Sequence, residues 1–130
     1  MQVVELVALL AVLQFFFFGA LTGRARTQYR VKAPAVVGHE GFERIYRVQM
    51  NTLELLVALL PTLFIAARYW PAYAVAGLGA VYLLGRVIYW RAYVSQPSRR
   101  GLGFVLSIVP IALLGLLAFA GIVRSWVGGL

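Results

Sequence analysis

The sequence contains no cysteine and no aspartate, and its single histidine is His39. Without cysteine the chain can form neither a disulfide nor a nucleophilic protein thiolate. Without aspartate, and with one histidine, a Ser-His-Asp triad and a multi-histidine zinc site are excluded too, so we expect no metal site. Any chemistry must therefore depend on arginine, tyrosine, asparagine, glutamine and glutamate side chains.

Charged residues are scarce as well. They make up 12% of the 130 residues, whereas 62% are hydrophobic. A soluble domain keeps about a quarter of its residues charged, so this composition cannot supply a water-exposed surface. The composition therefore predicts an integral, multi-pass membrane protein in contact with lipid.

The apolar residues form four continuous runs rather than alternating patterns, which favours helices over a β-barrel. A helix needs about 20 apolar residues to cross the hydrocarbon layer, and each run is close to that length. We predict an all-α, single-domain, four-helix membrane bundle over residues 1–130. Its predicted spans are residues 3–21, 48–69, 72–90 and 102–123.

Basic residues are concentrated in two of the predicted connections. Residues 22–47 form the only long connection and hold half of the 12 lysines and arginines, and the connection before the last span adds three more. Both connections lie on one side of a four-span chain, so the positive-inside rule predicts that they are cytoplasmic and both termini outside. Topology thus accounts for the basic charge, and we expect no nucleic-acid partner. The absence of retention and transit signals favours a bacterial inner membrane.

Polar residues follow a helical spacing inside two spans. Arg47, Asn51 and Glu54 are four and three residues apart, so at about 100° per residue they share one stripe of the second span. The third span carries a similar stripe of aromatic hydroxyls and one guanidinium, formed by Tyr82, Arg86, Tyr89 and Tyr93. Ionisable residues within a span are costly and usually face a partner, a cavity or a ligand.

Two interpretations of these stripes are open. In the first, Arg47 and Arg86 extend to the lipid headgroups and Glu54 forms an ion pair with one of them. That account explains neither Asn51 nor Glu54, which lie deeper and share their stripe with Arg47. Their position favours the second interpretation, a polar site. Arginines with one carboxylate suit a small zwitterionic ligand such as glutathione, whose thiol becomes nucleophilic when a cation stabilises the thiolate.

Two longer segments carry a resemblance to a known family. Residues 42–54 read FERIYRVQMNTLE, and residues 85–93 read GRVIYWRAY. With the span count, these strings resemble the membrane-associated proteins in eicosanoid and glutathione metabolism, the MAPEG family. The resemblance implies a homotrimer that binds glutathione between subunits near the cytoplasmic face. It implies that Arg100 stabilises the thiolate and that glutathione is bound by Arg26, Arg47, Gln49, Asn51, Glu54, Tyr89 and Tyr93.

The family resemblance predicts a membrane-bound glutathione transferase that conjugates the glutathione thiolate to lipophilic electrophiles. Glutathione-dependent peroxidase activity is a further possibility that the resemblance raises. Leu55 stands where leukotriene-type members place a tyrosine, which argues against an eicosanoid substrate. Some members are non-catalytic, so a lipid-binding membrane scaffold is the alternative. The expected partners are glutathione, a hydrophobic electrophile or lipid, membrane lipids and further copies of the chain.

Overall fold

A computed structural model describes residues 1–129 of the chain. It contains four long helices, α1 (Gln2–Tyr29), α2 (Glu40–Tyr69), α3 (Ala72–Ser95) and α4 (Gly101–Gly128), and a short 3₁₀ turn over Pro97–Arg99. No strand occurs between residues 1 and 129. Each of the four helices is long and apolar enough to cross a membrane. The predicted all-α, four-span architecture is therefore confirmed.

The helices extend well beyond the predicted spans. Most of the predicted connection over residues 22–47 is helical, and only residues 30–39 separate α1 from α2. α1 ends where Arg30 adopts a left-handed conformation with φ 56°. His39 is the N-cap of α2, and its Nδ1 accepts a hydrogen bond from the Gly41 N–H at 2.9 Å. Apolar runs locate the part of a helix that lies in lipid, whereas these capping residues set where the helix begins or ends.

The four helices pack as a bundle around α2 and α3. Both of these contact all the other helices, while α1 and α4 pack mainly on them. The α1–α2 and α3–α4 connections meet at one end, which we call the loop end, where Arg44 donates to the Val94 carbonyl at 3.1 Å. The opposite, terminal end carries the short α2–α3 turn, and there Trp70 donates to the Leu117 carbonyl at 2.7 Å.

The two ends of the bundle differ in what they bury. The apolar core lies towards the terminal end, where Leu59, Leu63, Val75 and Leu114 are all fully buried. Towards the loop end the interior includes polar side chains instead. The outward surface is apolar along much of its length, which suits contact with lipid.

Candidate functional site

A guanidinium group lies in the interior of the bundle towards the loop end. Arg86 of α3 is 0% exposed. Its Nε donates to Ser107 Oγ of α4 at 2.9 Å, and its Nη1 donates to Asn51 Oδ1 and Thr52 Oγ1 of α2 at 2.8 and 3.2 Å. We call these four residues the Arg86 network. The snorkelling interpretation of Arg86 is therefore wrong, because the side chain turns into the bundle rather than towards the headgroups.

Two glycines let α3 and α4 approach closely enough for this contact. A Cβ atom at Gly85 would lie 2.7 Å from the backbone carbon of Leu106 and 2.8 Å from the Ser107 nitrogen. A Cβ atom at Gly103 would collide with the backbone of Tyr89. Close helix approach at small residues is typical of packing in lipid, and here it brings Ser107 within reach of Arg86.

The buried guanidinium has aromatic neighbours but no acidic one. Its carbon lies 4.3 Å from the centre of the Tyr89 ring and 6.0 Å from that of Tyr82. Among residues 1–129 the only ion pairs are Arg44 with Glu40 and Arg47 with Glu54. Burying an unpaired charge costs on the order of several kcal/mol, so hydrogen bonds and the tyrosine ring must hold it in place.

An open pocket of about 540 Å³ lies beside the Arg86 network. It is lined by Arg47, Asn51, Tyr89, Tyr93, Arg100 and Phe104. Small-molecule sites typically measure about 300–1,000 Å³, so the pocket has the size of a ligand site. The structure thus brings together five residues predicted for the site. We call this cavity the loop-end pocket.

The spacing of residues along α2 and α3 explains how the walls of the pocket form. Arg47 and Asn51 are one turn apart on α2, and Tyr89 and Tyr93 are one turn apart on α3. The two tyrosine rings stack with centres 5.4 Å apart. Arg100 precedes α4 and donates to the Pro97 carbonyl at 3.0 Å, so the 3₁₀ turn holds it at the rim. The pocket therefore presents two guanidinium groups and two phenols to one space.

The other three predicted site residues do not line this pocket within a single chain. Glu54 pairs with Arg47, with 3.1 Å between Oε1 and Nη1, and its side chain is 57% exposed. Gln49 faces α1, where its Nε2 would lie 3.3 Å from a Cβ atom on Gly19. Arg26 donates to the Ala35 carbonyl at 2.8 Å and thereby fastens the α1–α2 connection.

Sequence reasoning missed two buried residues that bond to Arg86 behind the pocket. Helical spacing predicts no role for Thr52 or Ser107, although both are 0% exposed and bond to Arg86. Ser107 does carry a signal in the sequence, because it is the only polar side chain in residues 101–123. Thr52 gave no comparable signal, since a threonine in a membrane helix usually bonds to its own backbone.

Four helices able to span a membrane, with a cationic pocket at one end of the bundle, define an integral membrane protein. Comparison with known proteins then gives the family. The MAPEG family model matches residues 4–120, so the chain belongs to the MAPEG family, as its sequence motifs indicate.

Three relatives show how far this similarity extends. Human microsomal glutathione S-transferase 2 is 38% identical over 120 residues, which cover 92% of this chain and 82% of the relative. Leukotriene C4 synthase from Cavia porcellus is 36% identical over 118 residues, covering 86% of this chain and 79% of the relative. An uncharacterised protein of Synechocystis is 44% identical over 101 residues, covering 78% of this chain and 74% of the relative.

Proposed function

We propose that the protein is a membrane-bound glutathione transferase that conjugates glutathione to lipophilic electrophiles. The observation that carries the proposal is the loop-end pocket, which gathers Arg47, Asn51, Tyr89, Tyr93 and Arg100. Glutathione has two carboxylates and one ammonium, so a pocket with two guanidinium groups suits its net negative charge. Similarity to microsomal glutathione S-transferase 2 over most of the chain supports the same activity.

The proposed mechanism assigns thiolate stabilisation to Arg100. A thiol of the cysteine type ionises at a pKa of about 8.5, so at neutral pH it needs a nearby cation to become a good nucleophile. Arg100 is a permanent cation at the rim of the pocket. Its guanidinium stabilises the thiolate, whose proton passes to water, and the thiolate sulfur attacks the electrophile while the leaving group departs with the bonding electrons. In hydroperoxide reduction the same thiolate would attack the peroxide oxygen, breaking the O–O bond and releasing the alcohol. A second glutathione would then reduce the resulting sulfenic acid to water and glutathione disulfide.

Lipophilic substrates would reach this sulfur from the bilayer. Phe104 lines the pocket and is 37% exposed, and the neighbouring Leu102 is 64% exposed on the outward surface of α4. These apolar groups connect the cationic pocket to the region of the hydrocarbon chains. A membrane-dissolved electrophile would therefore meet the thiolate without crossing water.

We further propose that the site is completed by assembly into a homotrimer. Arg26, Gln49 and Glu54 lie outside the pocket of one chain, and Glu54 is on an exposed face of α2. A neighbouring subunit placed against that face would enclose the pocket and bring further polar groups to the ligand. We place the loop end at the cytoplasmic face because the basic residues concentrate there. A bacterial inner membrane is the proposed location, and the Synechocystis relative supports it.

Glutathione binding and turnover test the proposal directly. The detergent-solubilised protein should bind glutathione in calorimetry and should conjugate it to a generic aromatic halide. Parallel assays with a lipid hydroperoxide measure the peroxidase activity. A protein that neither binds nor consumes glutathione, but is stabilised against heat by fatty acids, would be the lipid-binding scaffold instead.

A further inference from the structure

We propose that Arg86 is a positioning residue that fixes the Asn51 amide so that its NH₂ group faces the loop-end pocket. Asn51 lines the pocket and also bonds to Arg86, so it joins the buried network to the ligand site. The ligand group that meets Asn51 must then be a hydrogen-bond acceptor. The inference rests on the proposed function for the identity of the ligand, but the contact between residues 51 and 86 can be tested without it.

The orientation of the amide follows from the chemistry of arginine. A guanidinium has only donors, so the Asn51 atom that lies 2.8 Å from Arg86 Nη1 must be the carbonyl oxygen. The amide nitrogen, which carries two donors, is left on the other side. Among residues 1–129 it donates to no other group, and Asn51 is one of the residues that line the pocket. Its donors are therefore free for a ligand.

The other members of the Arg86 network hold the guanidinium in place beside Asn51. Thr52 Oγ1 donates its proton to the Val48 carbonyl at 2.7 Å, and Ser107 Oγ donates to the Gly103 carbonyl at 2.6 Å. Each hydroxyl thus offers only lone pairs to Arg86. Every side chain bonded to the guanidinium is an acceptor from it, so the direction of each hydrogen bond is determined by helix carbonyls and by a permanent cation.

This orientation divides the recognition of the ligand between residues. Asn51 suits a carboxylate or a peptide carbonyl and disfavours an ammonium. The ammonium of a zwitterionic ligand must then be held elsewhere, and Glu54 is the only carboxylate that pairs with a pocket residue in the described chain. Arg86 also contacts Tyr89, another residue that lines the pocket, with its guanidinium carbon 4.3 Å from the centre of the ring. The same guanidinium therefore positions both Asn51 and Tyr89.

A double-mutant cycle between positions 51 and 86 tests the contact itself. Asn51→Asp keeps an acceptor for Arg86 and adds an opposite charge beside it. The thermal midpoint of this variant should therefore equal or exceed that of the unmodified protein. In an Arg86→Met background the same substitution buries an unpaired carboxylate and should lower the midpoint by several degrees. Equal shifts in both backgrounds would show that the two residues do not interact and would overturn the inference, whether or not glutathione binds.

Kinetics test the donor role. Asn51→Asp removes both donors and should raise the KM for glutathione about 10- to 100-fold, the value of a hydrogen bond to a charged group. Arg86→Met should raise KM more than it lowers kcat, and Arg86→Lys should recover part of the loss. Arg91→Met is the matched control, because Arg91 is exposed on the same helix and stacks on Trp90.

The outcomes separate the two proposals. A KM for Asn51→Asp within twofold of the original, in a protein that shows coupling in the cycle, would overturn the donor role. An effect of Arg91→Met as large as that of Arg86→Met would show only a general response to lost charge and would overturn the positioning role. If the unmodified protein binds no glutathione, the proposed function fails, and the thermal cycle still decides whether Arg86 holds Asn51. If Arg86→Met does not fold, the Arg86→Lys background takes its place in the cycle, with a smaller coupling expected.

Discussion

The loop-end and terminal-end halves of the bundle differ in the polar side chains that they bury. The terminal half packs Leu59, Leu63 and Leu114 against one another, whereas the loop half encloses the guanidinium of Arg86. Lipid is as apolar as leucine, so helices in a membrane associate through close packing and a few hydrogen bonds of about 0.6–2 kcal/mol each. Burying a charge costs several kcal/mol, so the hydrogen bonds to Arg86 together only offset that cost and add no net stability. The loop half is therefore poorly explained by stability and is better explained by a site.

The largest expected effect is on activity in the loop half. Arg100→Ala should lower kcat about 100-fold or more, because it removes the cation that we assign to the thiolate. The thermal midpoint should change little, since Arg100 is exposed and donates only to the Pro97 carbonyl. Stopped-flow absorbance of the bound thiolate would show whether the loss lies in ionisation. Arg99→Ala is the matched control, and near-normal turnover in Arg100→Ala would assign the role elsewhere.

The converse effect is expected in the terminal half. Leu63→Ala empties space in the fully buried core and should destabilise the protein by about 1–3 kcal/mol, less than in water because lipid also solvates the leucine of the unfolded state. The KM for glutathione should stay within twofold, since Leu63 lies away from the loop-end pocket. Denaturation in mixed micelles measures the first quantity and steady-state kinetics the second. A strong rise in KM would mean that the two halves are not independent.

Much of this division could be predicted from residue spacing. The stripe of Arg47 and Asn51 and the stripe of Tyr89 and Tyr93 do meet in one pocket, because a helix repeats its face every three to four residues. Helix ends were less predictable: the charged residues at 22–29 and 40–47 indicated a connection, yet they continue α1 and α2. Polarity marks where lipid ends, and a helix does not have to stop there.

The buried network was beyond sequence reasoning for a different reason. An arginine near the end of a span is compatible with snorkelling or burial, and only the close approach of α3 and α4 at Gly85 and Gly103 decides between them. Neither glycine stands out in a chain with 13 of them. Contacts between helices depend on three-dimensional packing, which helical spacing along one segment does not contain.

The glycine at position 85 offers a way to loosen the loop half alone. Gly85→Ala places a methyl group 2.7 Å from the backbone of Leu106, so α3 and α4 must move apart at a cost of about 1–3 kcal/mol. That movement also lengthens the contact between Arg86 and Ser107. We expect a lower thermal midpoint together with a raised KM. Gly77→Ala is the matched control, because a Cβ atom there meets nothing within 4 Å and should be harmless.

The smallest effect concerns Glu54, whose pair with Arg47 is about half exposed. Exposed ion pairs contribute about 0–1 kcal/mol, so Glu54→Gln should leave the thermal midpoint nearly unchanged. If Glu54 holds the ammonium of glutathione, the KM should rise about 2- to 10-fold, the value of one exposed ionic contact. An analogue of glutathione without the amino group separates the two roles, because its KM should be the same for Glu54→Gln and the unmodified protein. A rise for both ligands would show that Glu54 acts by orienting Arg47, and the ammonium would then need another partner.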